Sequence, residues 1–153
     1  MAEDRHLLTD IRLGLRHFEL RPVYTVDNDR RRVPGQDGLF TDIGIISGRD
    51  NLEQAIMMRL LTPTGELSEL GHADYGCRLH ELIGRENTET TRNLVKLYIL
   101  ESLQQESRIQ KINRVEVAPV KGTRDRVSVL LSVQPIGFTQ LITIGPFTLE
   151  FAQ

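Results

Sequence analysis

The most restrictive feature of the sequence is a helix whose middle is apolar on nearly every side. Asn87 or Thr88 supplies an N-cap, and the pattern that follows predicts a helix to about Gln105. A surface helix shows a single apolar stripe, whereas residues 94–100 are apolar nearly all round. A sheet can cover one side of this helix. The other side needs another helix, the N-terminal arm or another chain.

After this helix the apolar pattern changes to a period of two, which is typical of strands with one buried face. Val115 and Val117 alternate with charged residues, and the same alternation returns over 127–133. Residues 121–125 between them are rich in turn formers. The two segments are therefore predicted to form a β-hairpin.

The last segment, 139–151, carries an irregularity. Its apolar residues move from even to odd positions at Gly145-Pro146. Side chains on a strand alternate between two faces, so this change of phase requires a bulge or a turn. Pro146 cannot donate a ladder hydrogen bond, which favours an edge position for this strand. Edge strands can pair with strands of other chains.

Two further helices are predicted before the apolar one. Asp50 has the spacing of an N-cap with Glu53 three residues later, which predicts a helix over about 51–61 that Pro63 stops. Residues 77–83 predict one or two helical turns. Gly84 ends them as a left-handed cap.

These elements predict an α+β fold with two or three helices packed on a small, mostly antiparallel C-terminal sheet. Residues 1–38 are expected to be an extended N-terminal arm and a charged loop, and 39–153 a single domain. Within the arm, alternation at Ile11, Leu13 and Leu15 indicates either a strand with one dry face or a mobile arm. Residues 27–38 are dense in turn formers and charge, which predicts a loop. The run 39–46 is either a strand or irregular.

Composition argues against several functions. The formal net charge of −2 gives no basis for electrostatic capture of nucleic acid or of a membrane surface. No segment approaches the roughly 20 apolar residues of a membrane span, so no membrane insertion is expected. The single Cys77 excludes an internal disulfide and suits a reducing compartment. The first residues lack the apolar core of a signal peptide, which predicts synthesis in the cytoplasm without one.

Chemical groups cluster between Glu66 and Glu81 without forming a known catalytic signature. Cys77 and His80 are candidates for a nucleophile with its base, or for half a metal site, but no third group is evident. Glu66 and Asp74 are candidates for the acid/base pair of a lysozyme-like hydrolase. Acidic residues near turns are more often solvated or capping. We therefore predict no catalytic residue, no metal and no cofactor.

A charged pair, Glu106 and Arg108, follows the apolar helix. One interpretation is a frayed, solvated helix end, where an ion pair contributes about 0–1 kcal/mol. The other is an interface, in which Arg108 offers a planar fork to a carboxylate or to carbonyl oxygens and Glu106 holds that fork in place.

The order of these motifs resembles the baseplate wedge and sheath-initiator family of contractile phage tails and contractile injection systems. The resemblance covers about 48–117 and, more loosely, the sheet after it, and the extracellular injection-system branch looks most similar. Its motifs are RLLTPTGEL, LGHADYG, RLHELIG and ESRI. The family's signature at the helix end is Glu-Pro-Arg. This chain has Ser107 in place of the proline, so the local stiffening that proline gives is lost.

The resemblance implies a structural protein of an assembled phage-tail-like particle. It implies that Glu106 and Arg108 bind other wedge proteins and that the C-terminal strands pair with the sheath protein by strand exchange. The inner tube or spike hub is a further neighbour. The strand residues expected at the sheath contact are Leu141, Thr143, Phe147, Leu149 and Phe151. The residues expected to form structural turns are Gly65, Glu66, Tyr75, Gly76 and Gly84. Two alternatives remain open, a small hydrolase and a regulatory adaptor with this fold.

Overall fold

The computed structural model describes residues 7–15, 24–32, 34–35 and 37–151. It contains the α-helices α1 (Gly48–Leu61) and α2 (Glu89–Gln104) and the short 3-10 helices Ser68–Leu70 and Arg78–Leu82. The strands are β1 (Thr9–Ile11), β2 (Leu13–Leu15), β3 (Tyr24–Val26), β4 (Asn28–Arg31), β5 (Phe40–Ile43), β6 (Ile45–Ser47), β7 (Ile109–Pro119), β8 (Arg126–Pro135) and β9 (Ile142–Glu150). The predicted α+β class, with helices and an antiparallel C-terminal sheet, is confirmed.

The core lies between α2 and the antiparallel sheet, whose strand order is β7-β8-β9. Val95, Ile99 and Leu103 of α2 are fully buried, while α1 and the 3-10 helix Arg78–Leu82 pack against other sides of α2. This arrangement explains why the middle of α2 is apolar nearly all round. Leu97 is an exception, because its side chain remains 47% exposed.

The two predicted helix starts have different outcomes. Thr88 is the N-cap of α2, and its hydroxyl accepts a hydrogen bond from the backbone N–H of Thr91, as predicted. The prediction that Asp50 caps α1 was wrong. The helix begins at Gly48, with Ser47 at the cap position and Asp50 inside the first turn. Its first N–H, that of Gly48, donates to the carbonyl of Leu8, so backbone from the N-terminal segment replaces a side-chain cap.

The N-terminal segment forms three short antiparallel ribbons, β1-β6, β2-β3 and β4-β5. They meet at Arg12, Asp27 and Gly44, whose backbone groups form a ring of three hydrogen bonds of 2.8–2.9 Å. The prediction of a loop over 27–38 was therefore wrong at β4. Of the two interpretations of the arm, the strand is present at Ile11, but Ile11 is 44% exposed and does not lie on a dry face.

Strand β9 contains the predicted irregularity. Val129 pairs with Phe147 but Leu131 pairs with Ile144, so one extra residue is accommodated at Gly145-Pro146. Gly145 has a φ of +99°, and a Cβ there would lie 2.7 Å from the carbonyl oxygen of Val129. The change of phase and the edge position of β9 in its sheet are both confirmed.

Candidate partner-binding site

The centre of the candidate site is the Glu106–Arg108 pair, at the junction between α2 and β7. Glu106 is only 7% exposed, and its carbonyl accepts the backbone N–H of Ile109, where β7 begins. Arg108 Nε donates to Glu106 Oε1 at 2.7 Å and Nη2 donates to Oε2 at 3.2 Å. This pairing is bidentate and mostly buried, so the interpretation as a frayed, solvated helix end was wrong.

Arg59 of α1 joins this pair from within the protein. Its Nη2 atom lies 3.6 Å from Glu106 Oε2, and its guanidinium lies over the Tyr75 ring, 4.5 Å from the centroid. Arg59 is 9% exposed, and its buried Nε has no hydrogen-bond partner among the described residues. Arg59 was not among the residues predicted from the sequence. The available signal was a charged residue directly before Leu60 and Leu61 at the buried end of α1.

Electrostatics keep Glu106 ionised. Burial raises the pKa of its carboxyl group, but hydrogen bonds from Arg108 and the positive charges of Arg108 and Arg59 lower it by more. The net result is a pKa below the ordinary value. At neutral pH the carboxylate therefore holds two guanidinium groups in fixed positions, one inside the protein and one facing outwards.

Gly76 holds the predicted turn between the two helices. Its φ is +114°, and a Cβ there would lie 2.5 Å from the carbonyl oxygen of Thr62. Ser102 of α2 donates its hydroxyl to the Gly76 carbonyl at 2.7 Å, and the Cys77 N–H donates to the Thr62 carbonyl at 2.8 Å. This turn ties the end of α1 to α2 and carries Tyr75 to its position over Arg59.

The other predicted turn residues lie at two separate places. Gly65 has a φ of +90°, and Glu66 is exposed in the turn that its N–H closes on the Pro63 carbonyl. Gly84 has a φ of +82°, and its N–H donates to the Phe151 carbonyl at 2.7 Å. Gly84 therefore fastens the chain just beyond the end of β9.

Two recesses lie beside Tyr75. The larger, about 490 Å³, has Glu106, Ser107 and Arg108 on one side. Its other walls come from the N-terminal segment, α1 and Tyr75. The smaller recess, about 260 Å³, is lined by Arg59, Gly71, His72, Ala73, Asp74, Tyr75 and Gln105.

The predicted strand-pairing residues divide into two groups. Leu141, just before β9, and Thr143 within it are exposed. Phe147, Leu149 and Phe151 are at most 3% exposed and lie in this chain's own core. Sheet pairing through β9 would therefore use its backbone edge, with Leu141 and Thr143 as the side chains open to a partner.

The catalytic alternatives receive little geometric support. Cys77 is buried and its Sγ lies 3.3 Å from the Tyr98 carbonyl, whereas His80 Nδ1 lies 3.2 Å from the Cys77 carbonyl oxygen. In these two contacts the Cys77 thiol and the His80 imidazole each meet a backbone carbonyl oxygen and not each other. Among the described residues, no cluster of three or more His, Cys, Asp or Glu side chains could hold a metal. Glu66 and Asp74 are both exposed, and Glu66 does not line the recess that Asp74 lines.

Cys77 should be chemically inert in the folded protein. Burial raises the pKa of its thiol to about 11, and the residue is 2% exposed. Because the thiolate is the reactive form, iodoacetamide at pH 7.5 should label Cys77 slowly in the native protein and fully in denaturant. Mass spectrometry measures both rates. Fast labelling of the native protein, at the rate of a free thiol, would contradict the buried position.

The fold and this site define a small α+β domain in which a mostly buried ion pair borders an open recess. A sequence model of the contractile injection system sheath initiator family matches residues 24–136. Because this match spans most of the chain, the protein belongs to the sheath initiator family of contractile injection systems. That family is structural, and its role lies in the baseplate of phage-tail-like particles.

The matched region includes α1, α2, β7 and β8 and ends before β9. No curated protein matches the chain at a significant level. Three chains of solved structures do. One is a protein from Geobacter sulfurreducens, provisionally described as a tail lysozyme, whose crystal structure was determined at 1.44 Å. It is 18% identical, with a TM-score of 0.58, and the alignment covers 68% of this chain and 91% of the other.

At that identity the likeness shows the fold alone. In the part of this chain that the structure describes, no helix is both long and apolar enough to cross a membrane.

Proposed function

We propose that this chain is the baseplate subunit on which the first ring of sheath is built. It binds wedge proteins at the Glu106–Arg108 site and pairs with a sheath subunit along β9. It acts as a scaffold without catalysis. The observation that carries the proposal is the buried Glu106 carboxylate, which fixes Arg108 at the rim of an open recess in a chain of the sheath initiator family.

The wedge contact is supported by the N–H donors of Arg108 that Glu106 does not bind. Nε and Nη2 donate to Glu106, and Nη1 forms no hydrogen bond or ion pair with another described residue. The Arg108 side chain is 18% exposed, so it is partly desolvated before any partner arrives. A preorganised guanidinium loses little conformational entropy on binding, and its remaining N–H groups suit backbone carbonyl oxygens or a carboxylate of a wedge protein.

Replacing Arg108 by lysine should weaken wedge binding while leaving the fold in place. Lysine keeps the positive charge beside Glu106 but has no planar fork, so we expect a loss of binding on the order of 10- to 100-fold. Binding of purified variants to wedge subunits dissociated from the native particle can be measured by biolayer interferometry. Thermal unfolding of each variant checks its fold.

The chain contains a matched control for this experiment. Arg114 and Glu116 on β7 also form an ion pair two residues apart, but Arg114 is 57% exposed and lies outside the recess. Arg114→Lys should bind wedge subunits like the wild type. If Arg108→Lys did so too, the wedge role of Arg108 would be wrong.

The sheath contact is supported by the edge of the C-terminal sheet. Among the described strands β9 pairs only with β8, so it lies at an edge of the sheet, where a strand of another chain can pair. Strand addition supplies main-chain hydrogen bonds whatever the partner's sequence. The exposed Leu141 and Thr143 lie at the start of this edge, where charged side chains would discourage pairing.

Lysine at both of these positions should therefore reduce sheath assembly. We expect Leu141→Lys/Thr143→Lys to bind wedge subunits normally, while baseplates carrying it recruit several-fold less sheath by electron microscopy. Leu70→Lys, at a 72% exposed position of the 3-10 helix Ser68–Leu70, adds a charge outside the sheet and serves as the control. Full-length sheaths on the double variant would contradict pairing at this edge.

The hydrolase interpretation remains the second candidate because one structural neighbour is provisionally described as a tail lysozyme. It is the weaker candidate, because Glu66 and Asp74 are both exposed and only Asp74 lines the smaller recess. The adaptor interpretation predicts that the chain binds one soluble partner and no sheath. Sheath recruited by wild-type baseplates in the β9 experiment would therefore contradict it.

A further inference from the structure

The larger recess is a preformed cleft with one wall provided by the N-terminal segment. Leu7 is fully buried, and the side-chain amide of Asn51 donates to its carbonyl at 2.9 Å. The next carbonyl, that of Leu8, accepts the N–H of Gly48, and Thr9 pairs with Ser47. These bonds fix Leu8, Thr9 and Asp10 opposite Arg108 without help from a partner.

Part of the surface of this cleft is apolar. Ala55 and Met58 of α1 and the ring of Tyr75 line it, and Leu8 stands at the rim with 60% of its surface exposed. Leu8 also has a φ of +64°, a strained conformation for a leucine that the surrounding hydrogen bonds maintain. The volume of the cleft, about 490 Å³, falls in the range of sites that hold a large side chain or a small ligand.

The two carboxylates of the cleft, those of Glu106 and Asp10, differ in their ion pairs. Glu106 is neutralised by Arg108 and Arg59, as described above. Asp10 also lines the cleft, but among the described residues no cation lies within salt-bridge distance of it, and its carboxylate accepts a hydrogen bond from the neighbouring N–H of Ile11. Asp10 is therefore an exposed carboxylate in this cleft, and no other described residue supplies a counter-charge to it.

This combination suits a long cationic side chain. Lysine and arginine have an apolar stem that packs on aliphatic surface and a charged head that seeks a carboxylate. Tyr75, whose ring already carries the Arg59 guanidinium, adds aromatic surface to the same cleft. Its pKa is raised, first by burial and also by the charges of Glu106 and Asp10, although Arg59 and Arg108 act in the opposite direction.

We propose that the cleft receives a lysine or arginine side chain from the wedge protein, with its stem on Leu8 and Met58 and its charged head on Asp10. This inference rests on the proposed wedge contact at Glu106 and Arg108, because both lie in the same cleft. The wedge protein thus presents a positive side chain to Asp10 and an acceptor to Arg108. Two opposite charges at fixed positions would define the orientation of the partner.

The test is a comparison of Asp10→Asn and Asp10→Lys with the wild type, using wedge subunits dissociated from the native particle as the probe. Asp10 is exposed, so neither variant should unfold the protein. We expect about tenfold weaker binding for Asp10→Asn and a larger loss for Asp10→Lys. Raising the salt concentration should weaken wild-type binding more than that of Asp10→Asn, because an ion pair is screened and a neutral contact is not.

Asp37→Asn is the matched control. It removes the same charge from an exposed residue of the β4-β5 connection that does not line the cleft, so its binding should equal that of the wild type. Wild-type affinity and salt dependence for both Asp10 variants would overturn the inference. If Arg108→Lys still weakened binding in that case, the wedge contact would stand. If it did not, the proposed site itself would be wrong.

Discussion

Replacing Gly76 by alanine should lower the free energy of unfolding by about 3 kcal/mol, since the cost combines backbone strain with a steric clash. The backbone at Gly76 has a φ of +114°, and the added Cβ would lie 2.5 Å from the Thr62 carbonyl oxygen. That oxygen belongs to the backbone and already accepts the Cys77 N–H, so it cannot move away freely. Urea denaturation followed by circular dichroism measures the change.

Gly122→Ala separates the two causes. Gly122 has a φ of +81°, but no atom lies within 4 Å of a Cβ built there. Gly122→Ala should therefore lower the free energy of unfolding by only about 1–2 kcal/mol, which is the cost of the left-handed conformation. Equal losses for Gly76→Ala and Gly122→Ala would mean that the turn at Gly76 is not tightly packed against the end of α1.

Glu106→Gln should also destabilise the fold, by about 3 kcal/mol, because it leaves the buried Arg59 without its counter-charge. Glutamine has nearly the same shape, so the loss reports charge and hydrogen bonding rather than a cavity. Arg59 and Glu106 are both at most 9% exposed, which limits the screening of their interaction by water. Denaturation at pH 7 provides the measurement.

The pH dependence gives a second readout on the same carboxyl group. Its pKa in the folded protein lies below the ordinary value of 4.5. The stabilisation is therefore present above pH 4.5 and is lost as the pH falls through the folded pKa. The difference between wild type and Glu106→Gln should shrink in acid.

Glu116→Gln is the control for both readouts. The partner of Glu116, Arg114, is largely exposed, so Glu116→Gln should change the free energy of unfolding by less than about 1 kcal/mol. A Glu106→Gln protein as stable as Glu116→Gln at pH 7 would contradict the buried network.

The sequence predicted most of the C-terminal two thirds because local and tertiary signals agree there. Thr88 marks the start of α2 with a side chain that caps it, and the alternation in β7 and β8 matches their buried faces. The change of phase at Gly145-Pro146 also predicted the irregularity in β9 correctly. In each case the local backbone conformation favours the residue types found there, so those residues predict the conformation.

The N-terminal ribbons could not be predicted in this way. Their strands are only three or four residues long and are held by partners distant in sequence, such as Arg12 with Asp29 and Arg31 with Asp42. Polar cross-strand pairs give no apolar alternation, so β4 resembles a loop. Asp10, Arg59 and Tyr75 come together only through the tertiary fold. The Glu106–Arg108 pair was visible in the sequence, but its burial was not.

The most direct test of the account is the position of this chain in the assembled particle. A tagged copy expressed in the organism that encodes it can be purified with its partners, labelled at the tag and imaged by electron microscopy. We expect contractile, tail-like particles with the label at one end, where the baseplate meets the first ring of sheath. Recovery of the tagged chain as a free monomer, or label distributed along the sheath, would contradict a baseplate subunit that starts the sheath.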